Sequence, residues 1–131
     1  MMIGDQLQKA IYAALTAAPA LVDGKVFDTV PPDTEAPYIH IGNEQVLDDS
    51  DDCAEGWEVF TDIHIWSEPE TGSKLEVKSI GPAVVQRLTQ ITAIEGFRVV
   101  IASIENIRYL DDPDGVSKHG IVTSRHVLEP A

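Results

Sequence analysis

The chain has 131 residues, 44% of them hydrophobic, and a formal net charge of −13. This length suits one domain with one core, and the apolar fraction is too high for a disordered chain. The nine Lys and Arg residues are scattered singly, so duplex DNA binding, which needs basic residues against phosphates, is not expected, whereas partners with basic faces are favoured. No run reaches the roughly 18 consecutive apolar residues of a membrane span.

The first segment has the pattern of an amphipathic helix over about residues 6–17. Asp5 stands where a capping side chain is expected, and Pro19 follows the predicted end. The segment lacks a basic region before its apolar part, and Lys9 interrupts it, so we interpret it as a helix and not as a signal peptide. Synthesis and retention in the cytoplasm is therefore the expectation. The predicted core-facing stripe is Leu7, Ala10, Ile11, Ala14 and Leu15.

The middle of the chain predicts a short extended piece at residues 25–27 and then two long strands, at residues 37–47 and 56–68. The second strand alternates along its whole length. The face predicted to meet the core carries Trp57, Val59, Thr61, Ile63 and Ile65, and the opposite face, predicted to be partly covered, carries Glu58, Phe60, Asp62, His64 and Trp66.

A second helical stripe and a long hairpin follow. The stripe is Leu75, Ile80, Val84, Leu88 and Ile91, and Gly81-Pro82 interrupts it. We expect either a bent helix or a short turn followed by a second helix. Beyond it, residues 99–110 and 117–128 form two β runs around the turn sequence DDPDG.

The order α-β-β-α-β-β predicts an α+β fold, with residues 1–131 forming a single domain. We expect a mainly antiparallel sheet of about four strands with two helices packed on one face.

Residues 46–56, VLDDSDDCAEG, hold five carboxylates and no basic residue. An EF-hand loop needs a glycine at position six and a glutamate at position twelve. Starting at Asp48 those positions hold Cys53 and Val59, and a start at Asp49 fails in the same way. We interpret the segment as a solvated connector between paired strands, with weak adventitious binding of divalent ions as the alternative. Cys53 is the only cysteine, which excludes an internal disulfide and a Cys-rich zinc site.

The remaining residues give no sign of catalysis. The four histidines, at positions 40, 64, 119 and 126, fall on separate predicted segments, with no HExxH motif and no pair at helical spacing. His40 and His64 are expected to face one another across neighbouring strands, without a third ligand. There is no GxSxG motif, and the glycines form no phosphate-binding loop. We predict no catalytic residue, no metal site and no cofactor.

Four segments in chain order resemble a known family: LQKAIYAALTAAPAL, GKVFDTVPPDTEAPYIHIG, HIWSEPETGSKLEVKSIGPAVVQRL and IRYLDDPDGVSKHGIVTSRHVL. They are similar to the phage tail-completion proteins, the tail terminators of long-tailed phages and gene transfer agents. The Trp-Ser pair followed by a glycine, with Pro-Tyr upstream, is the most specific part, and Gly81-Pro82 departs from the family pattern. The matching positions are Gly24, Val26, Phe27, Pro31, Pro37, Tyr38, Ile39, Gly42, Trp66, Ser67, Gly72, Leu88, Leu110, Asp112, Asp114 and Gly115.

The resemblance implies a structural virion protein that forms a ring, usually a hexamer, on the head-proximal end of the tail tube. Such a ring stops tube growth and joins the tail to the head connector. The implied partners are further copies of the chain, the tail-tube protein and the connector or stopper protein; DNA only passes through the ring, and no membrane or enzymatic activity is implied. The same features leave open another ring-forming connector or tube protein, and, in a different class, a small metal-dependent α+β enzyme.

Two sets of residues are candidates for contacts in such a ring. Acidic residues dominate from Glu44 to Glu58 and again over residues 67–71, so we expect one end of the sheet to be strongly negative. Like charges around a ring repel, so assembly should strengthen with salt. The predicted flexible acidic loop at the lumen or the rim is Asp48, Asp49, Asp51, Asp52 and Glu55. The candidate ring or tube contacts are Phe60, Trp66 and Tyr109.

Overall fold

The structure, a computed structural model, describes residues 2–131. Two helices and six strands follow one another along the chain. Four long strands form the middle of one sheet of order β1-β2-β3-β6-β5-β4, in which β1 runs parallel to β2 and all other neighbours are antiparallel. The elements are α1 (Ile3–Thr16), β1 (Val26–Phe27), β2 (Tyr38–Asp48), β3 (Trp57–Ser67), α2 (Leu75–Thr89), β4 (Ala93–Ile94), β5 (Phe97–Asp111) and β6 (Lys118–Pro130).

The α+β class is confirmed, but the predicted number of about four strands is wrong. The two additional strands, β1 and β4, have two residues each. The extended piece at residues 25–27 becomes β1, and its parallel pairing makes the sheet mixed. Strand β4 turns back onto the start of β5 through Gly96, whose φ of +83° suits a residue without a side chain. Two residues are too few to show an alternating pattern, which is why β4 was not predicted.

Both helices pack on the face of the sheet that the alternation in β3 predicts. Val59, Ile63 and Ile65 of that face are fully buried, whereas the opposite residues of β3 are half-buried. Each such fully buried aliphatic side chain contributes about 1.5–3 kcal/mol to folding. The most deeply buried side chains from the helices and the neighbouring strands are Leu7, Ile11, Leu15, Ile39, Val77, Val84, Leu88, Val122 and Leu128.

Helix α1 begins three residues earlier than predicted. Its N-cap is Met2, which makes no side-chain capping bond, so the predicted cap at Asp5 is wrong. Asp5 lies instead in the first turn, where its negative charge favours the positive end of the helix dipole. The helix begins at Ile3 because the apolar stripe of Leu7 and Ile11 continues to Ile3 at the helical period, and Ile3 packs against the core.

Helix α2 is continuous from Leu75 to Thr89, so Pro82 lies inside it and no second helix forms. Pro82 has no N–H to donate to the carbonyl of Lys78. Gly81 is buried where α2 crosses β5: a Cβ built there would overlap the hydroxyl oxygen of Tyr109 and lie 3.0 Å from its Cζ. The glycine therefore allows close contact between helix and strand.

Strand pairing gives the sheet two ends, which we name by the connections they carry. The loop end holds the β2–β3 connection, since Asp48 pairs with Trp57. The hairpin end holds the β5–β6 turn and the β3–α2 connection, since Ser67 and Asp111 both pair with Lys118. The acidic residues at 48–55 and those at 68–70 thus lie at opposite ends of β3. The prediction of a single negative end is wrong, because β3 separates the two segments by its full length.

Candidate assembly surfaces

The face of the sheet away from the helices, here called the open face, carries a row of aromatic and imidazole rings near the hairpin end. Trp66 stacks on His119, with ring centroids 3.8 Å apart and planes at 10°. His64 lies next to His119. The ring centroid of His64 is 5.6 Å from that of His40, which is the register partner of His64 on β2. The predicted facing of His40 and His64 is confirmed.

His64 and His119 are joined edge to edge. His64 Nδ1 and His119 Nε2 are 2.8 Å apart, the ring planes differ by 23°, and the centroids are 5.0 Å apart, so one nitrogen donates in-plane to the other. Burial, and then the neighbouring His40, lower the pKa of His64. Burial, and then the neighbouring His64, lower the pKa of His119 to about 4. Both rings are therefore neutral at pH 7.

The rest of the open face is mixed in charge. Arg125 Nε donates to Glu58 at 2.6 Å, and the Thr123 hydroxyl donates to Asp62 at 2.7 Å. Phe60 is half-buried opposite Arg125. Two of the three predicted aromatic contact residues, Phe60 and Trp66, thus share this face, although Phe60 lies six residues from Trp66 along β3.

Tyr109 lies on the other face of the sheet. It packs under α2 against Gly81, and Lys78 Nζ lies 5.8 Å from the centroid of its ring. Burial raises the pKa of its hydroxyl. The structure therefore does not bring Tyr109 together with Phe60 and Trp66.

The acidic loop continues the β2–β3 hairpin and contains hydrogen bonds of its own. The Asp49 N–H donates to the Gly56 carbonyl at 2.8 Å, and the Asp51 N–H to the Ala54 carbonyl at 2.9 Å. Asp51 Oδ1 accepts the N–H groups of Cys53 and Ala54, both at 2.8 Å. These bonds close a tight turn, and the flexibility of the loop stays a prediction.

All five predicted loop carboxylates are exposed, and none takes part in an ion pair among residues 2–131. Asp48 accepts hydrogen bonds from Ser50, which lower the pKa of its carboxyl. In this described part of the chain, no group of three or more His, Cys, Asp or Glu side chains is arranged to hold a metal ion. The loop presents unpaired negative charge to solvent.

The hairpin end is also acidic, but there the charge is partly paired. Lys118 and Lys74 approach the Asp111 carboxylate at 2.7 and 3.1 Å, and their hydrogen bonds lower its pKa. The Ser117 hydroxyl lies 2.6 Å from Asp114 and 3.3 Å from Glu68. Further exposed carboxylates there are Glu70 and Asp114.

The Trp-Ser pair joins β3 to α2. Ser67 is completely buried, and its hydroxyl donates to Glu76 Oε1 at 2.6 Å in the first turn of the helix. Ser67 is therefore a strand residue that fixes the start of the helix. Its role in this chain is structural.

Both sides of the sheet have long free edges. Strand β1 covers β2 only at Ile39 and His40, so among residues 2–131 nothing pairs with residues 42–48 on their outer side. Strand β4 covers β5 only at Phe97 and Arg98, which leaves residues 99–111 open. Apolar side chains are exposed along both edges: Val46, Leu47, Val100, Ile101, Ile107 and Leu110.

Open strand edges present unpaired backbone N–H and C=O groups, to which a strand of another chain can pair. No helix within residues 2–131 is long and apolar enough to cross a membrane.

Residues 9–129 match the family described as "Tail completion protein gp17", and the chain belongs to that family. It is 27% identical over 125 residues to the "Tail completion protein gp17" of Bacillus phage SPP1, covering 93% of this chain and 91% of that protein. Its fold is similar to a chain in the structure "Virion of native gene transfer agent (GTA) particle", with a TM-score of 0.86 at 23% identity over 97% of both chains. The chain is a structural protein of the virion tail and not an enzyme.

Sequence reasoning missed two features of these surfaces. It did not place His119 beside His64, because the two are 55 positions apart and meet only through the β3–β6 pairing. It also did not identify β2 as a strand with a free edge, because the strand order decides which strands lie outermost. A period-two pattern is the same in an edge strand and in an inner strand.

Proposed function

We propose that this chain is a tail terminator: a ring of several copies, six by analogy with the family, that caps the head-proximal end of the tail tube. The ring would stop tube growth and offer its outer end to the head connector. Its partners would be copies of itself, the tube protein and the connector, with DNA only passing through. The family membership supports a tail role, and the distribution of charge on the subunit supports this particular one.

The observation that carries the proposal is that both ends of the sheet are acidic. The loop end presents Asp49, Asp52 and Glu55, and the hairpin end presents Glu70 and Asp114. If the strands run roughly along the ring axis, stacking one ring on another of the same kind would bring carboxylates against carboxylates. Like charges brought together at an interface cost several kcal/mol.

A tube protein must stack on itself, and this charge distribution opposes that. A single layer has no such conflict, because its ends meet different proteins whose charge can be complementary. The same argument suits a connector ring, which therefore remains the second candidate. In either role the acidic loop would lie at a rim of the ring, since it extends from the end of the sheet and not from its open face.

The test is the length of tails in particles that lack this protein. A terminator predicts overlong tails without heads, whereas loss of a connector predicts tails of normal length that fail to join heads. Loss of a tube protein would leave no tails. Complementation with the unaltered chain should restore normal tail length, and tails of normal length without it would refute the terminator role.

A further inference from the structure

The two free edges of the sheet are complementary to one another. Strand β2 runs from the hairpin end to the loop end, and β5 runs in the opposite direction, because each is antiparallel to a neighbour on the path β2-β3-β6-β5. A rotation about an axis along the strands would bring β2 of one copy beside β5 of the next in antiparallel orientation. Such head-to-tail contacts form a ring when a whole number of these rotations returns to the first copy.

Side-chain direction restricts how the two edges can pair. On β2, Val46 faces the helix side because it pairs with buried Val59, and Leu47 faces the open side with Glu58. On β5, Ile107 faces the helix side because it pairs with buried Val122. Residues opposite one another in a sheet share a face. Val46 therefore matches Ile107, and Leu47 does not.

Val46 and Ile107 are also both exposed in the isolated chain, at 42% and 38%. In the same register Gln45 would lie opposite Arg108, an exposed residue that takes part in none of the ion pairs of residues 2–131. We propose that neighbouring copies pair β2 residues 42–48 with β5 residues 105–111 in antiparallel register, with Val46 opposite Ile107. This inference rests on the ring of the proposed function and names its interface.

The register has a geometric consequence that supports it. The row of paired residues through Val46 crosses β3 at Val59 and β6 at His126, and reaches β5 at Ala102. Ile107 lies five positions further along β5, and one of these is taken up by the irregularity between Ile104 and Asn106. Adjacent copies are thus offset by about four residues over four strands, or one per strand, the ratio that tilts barrel strands by about 36°.

Disulfide trapping tests the register. Cys53 is replaced first (Cys53→Ser), since it is an exposed free thiol. Val46→Cys with Ile107→Cys should then form intersubunit disulfides in purified particles, because paired Cα atoms in a sheet lie at a distance that a disulfide spans. Non-reducing electrophoresis should show a ladder that ends at the size of the ring. The use of particles ensures that the ring is present even if the free chain is monomeric.

The matched control is Leu47→Cys with Ile107→Cys, which differs by one position and places the thiols on opposite faces. It should give no ladder, and neither single-cysteine variant should cross-link. A ladder from the control and not from the test pair would overturn the register, and no ladder from either would overturn edge pairing. Normal tail lengths under reducing conditions would show that the terminator role stands even if the cross-link fails.

Discussion

His64 Nδ1 and His119 Nε2 lie 2.8 Å apart on the open face and share a hydrogen bond that needs at least one neutral ring. Full protonation of the pair would place two positive charges on rings whose centroids are 5.0 Å apart. We therefore expect the hydrogen bond at neutral and alkaline pH. The charged or titratable groups around it are His40, Asp62, Arg108 and Asp112.

We expect this pair to make folding stability depend on pH in the weakly acidic range. The pKa of His119 is lowered to about 4, and that of His64 is also lowered. The pKa of an unfolded histidine is about 6.5. A group whose pKa is lower in the folded state contributes fully to folding stability at pH values above its unfolded pKa. Its contribution falls as pH drops from about 6.5 towards 4. Urea unfolding at several pH values measures this slope.

His119→Asn should flatten the slope between pH 6.5 and 4, because it removes one of the titrating groups. Some slope should remain from His126, whose pKa is also lowered by burial in the core. NMR titration of the imidazole protons provides a separate check. A midpoint for His119 at the ordinary value near 6.5 would contradict the buried, coupled pair.

Gly81→Ala should destabilise the protein by about 1–3 kcal/mol, although alanine favours a helix by about 1 kcal/mol over glycine. The reason is the overlap of the new Cβ with the hydroxyl oxygen of Tyr109. Tyr109→Phe should recover part of the loss, since it removes that atom and leaves the ring at 3.0 Å. A double-mutant cycle by chemical unfolding measures the coupling, and independent effects would refute the contact.

Ser67→Ala should cost about 1–2 kcal/mol, because it removes a buried hydroxyl that donates to the carboxylate of Glu76. Ser79→Ala, on the helix that carries Glu76, is the matched control. Its hydroxyl is exposed and bonds only the local Glu76 carbonyl, so the change should stay within about 0.5 kcal/mol. Thermal or urea unfolding measures the loss of stability in both variants. Equal losses would contradict the role of the Ser67 hydroxyl in fixing α2.

Rising salt should strengthen ring assembly, since it screens repulsion between carboxylates while apolar edge contacts persist. Sedimentation velocity between about 0.05 and 0.5 M salt measures the distribution of monomers and oligomers. Over this range the Debye length falls from about 14 Å to about 4 Å. Oligomers that dissociate as salt rises would show instead that attractive ion pairs hold the ring. Ile107→Lys should weaken assembly at every salt concentration, and Leu75→Lys, exposed on α2, should not.

The amino-acid sequence by itself determined which residues of α1 and β3 face the core. For α2 the predicted stripe is wrong at its first residue, because Leu75 is 77% exposed. The alternation in β3 predicts the buried face from Val59 to Ile65, and the spacing of Leu7, Ile11 and Leu15 predicts the buried side of α1. These patterns are local, because burial of one face repeats with the period of the element that carries it. The DDPDG turn is local in the same sense: Gly115 has a φ of +77° and its N–H bonds the Asp112 carbonyl.

Only the tertiary structure decided what those faces and loops lie next to. Strand order set β2 and β5 at the sides with free edges, brought His119 beside His64, and sent the two acidic segments to opposite ends of β3. The tertiary structure also explains why a glycine stands at position 81 within a continuous helix, since Tyr109 fills the space that a side chain there would need. These relationships join residues that are distant along the chain, and the period of a single segment carries no information about its neighbours.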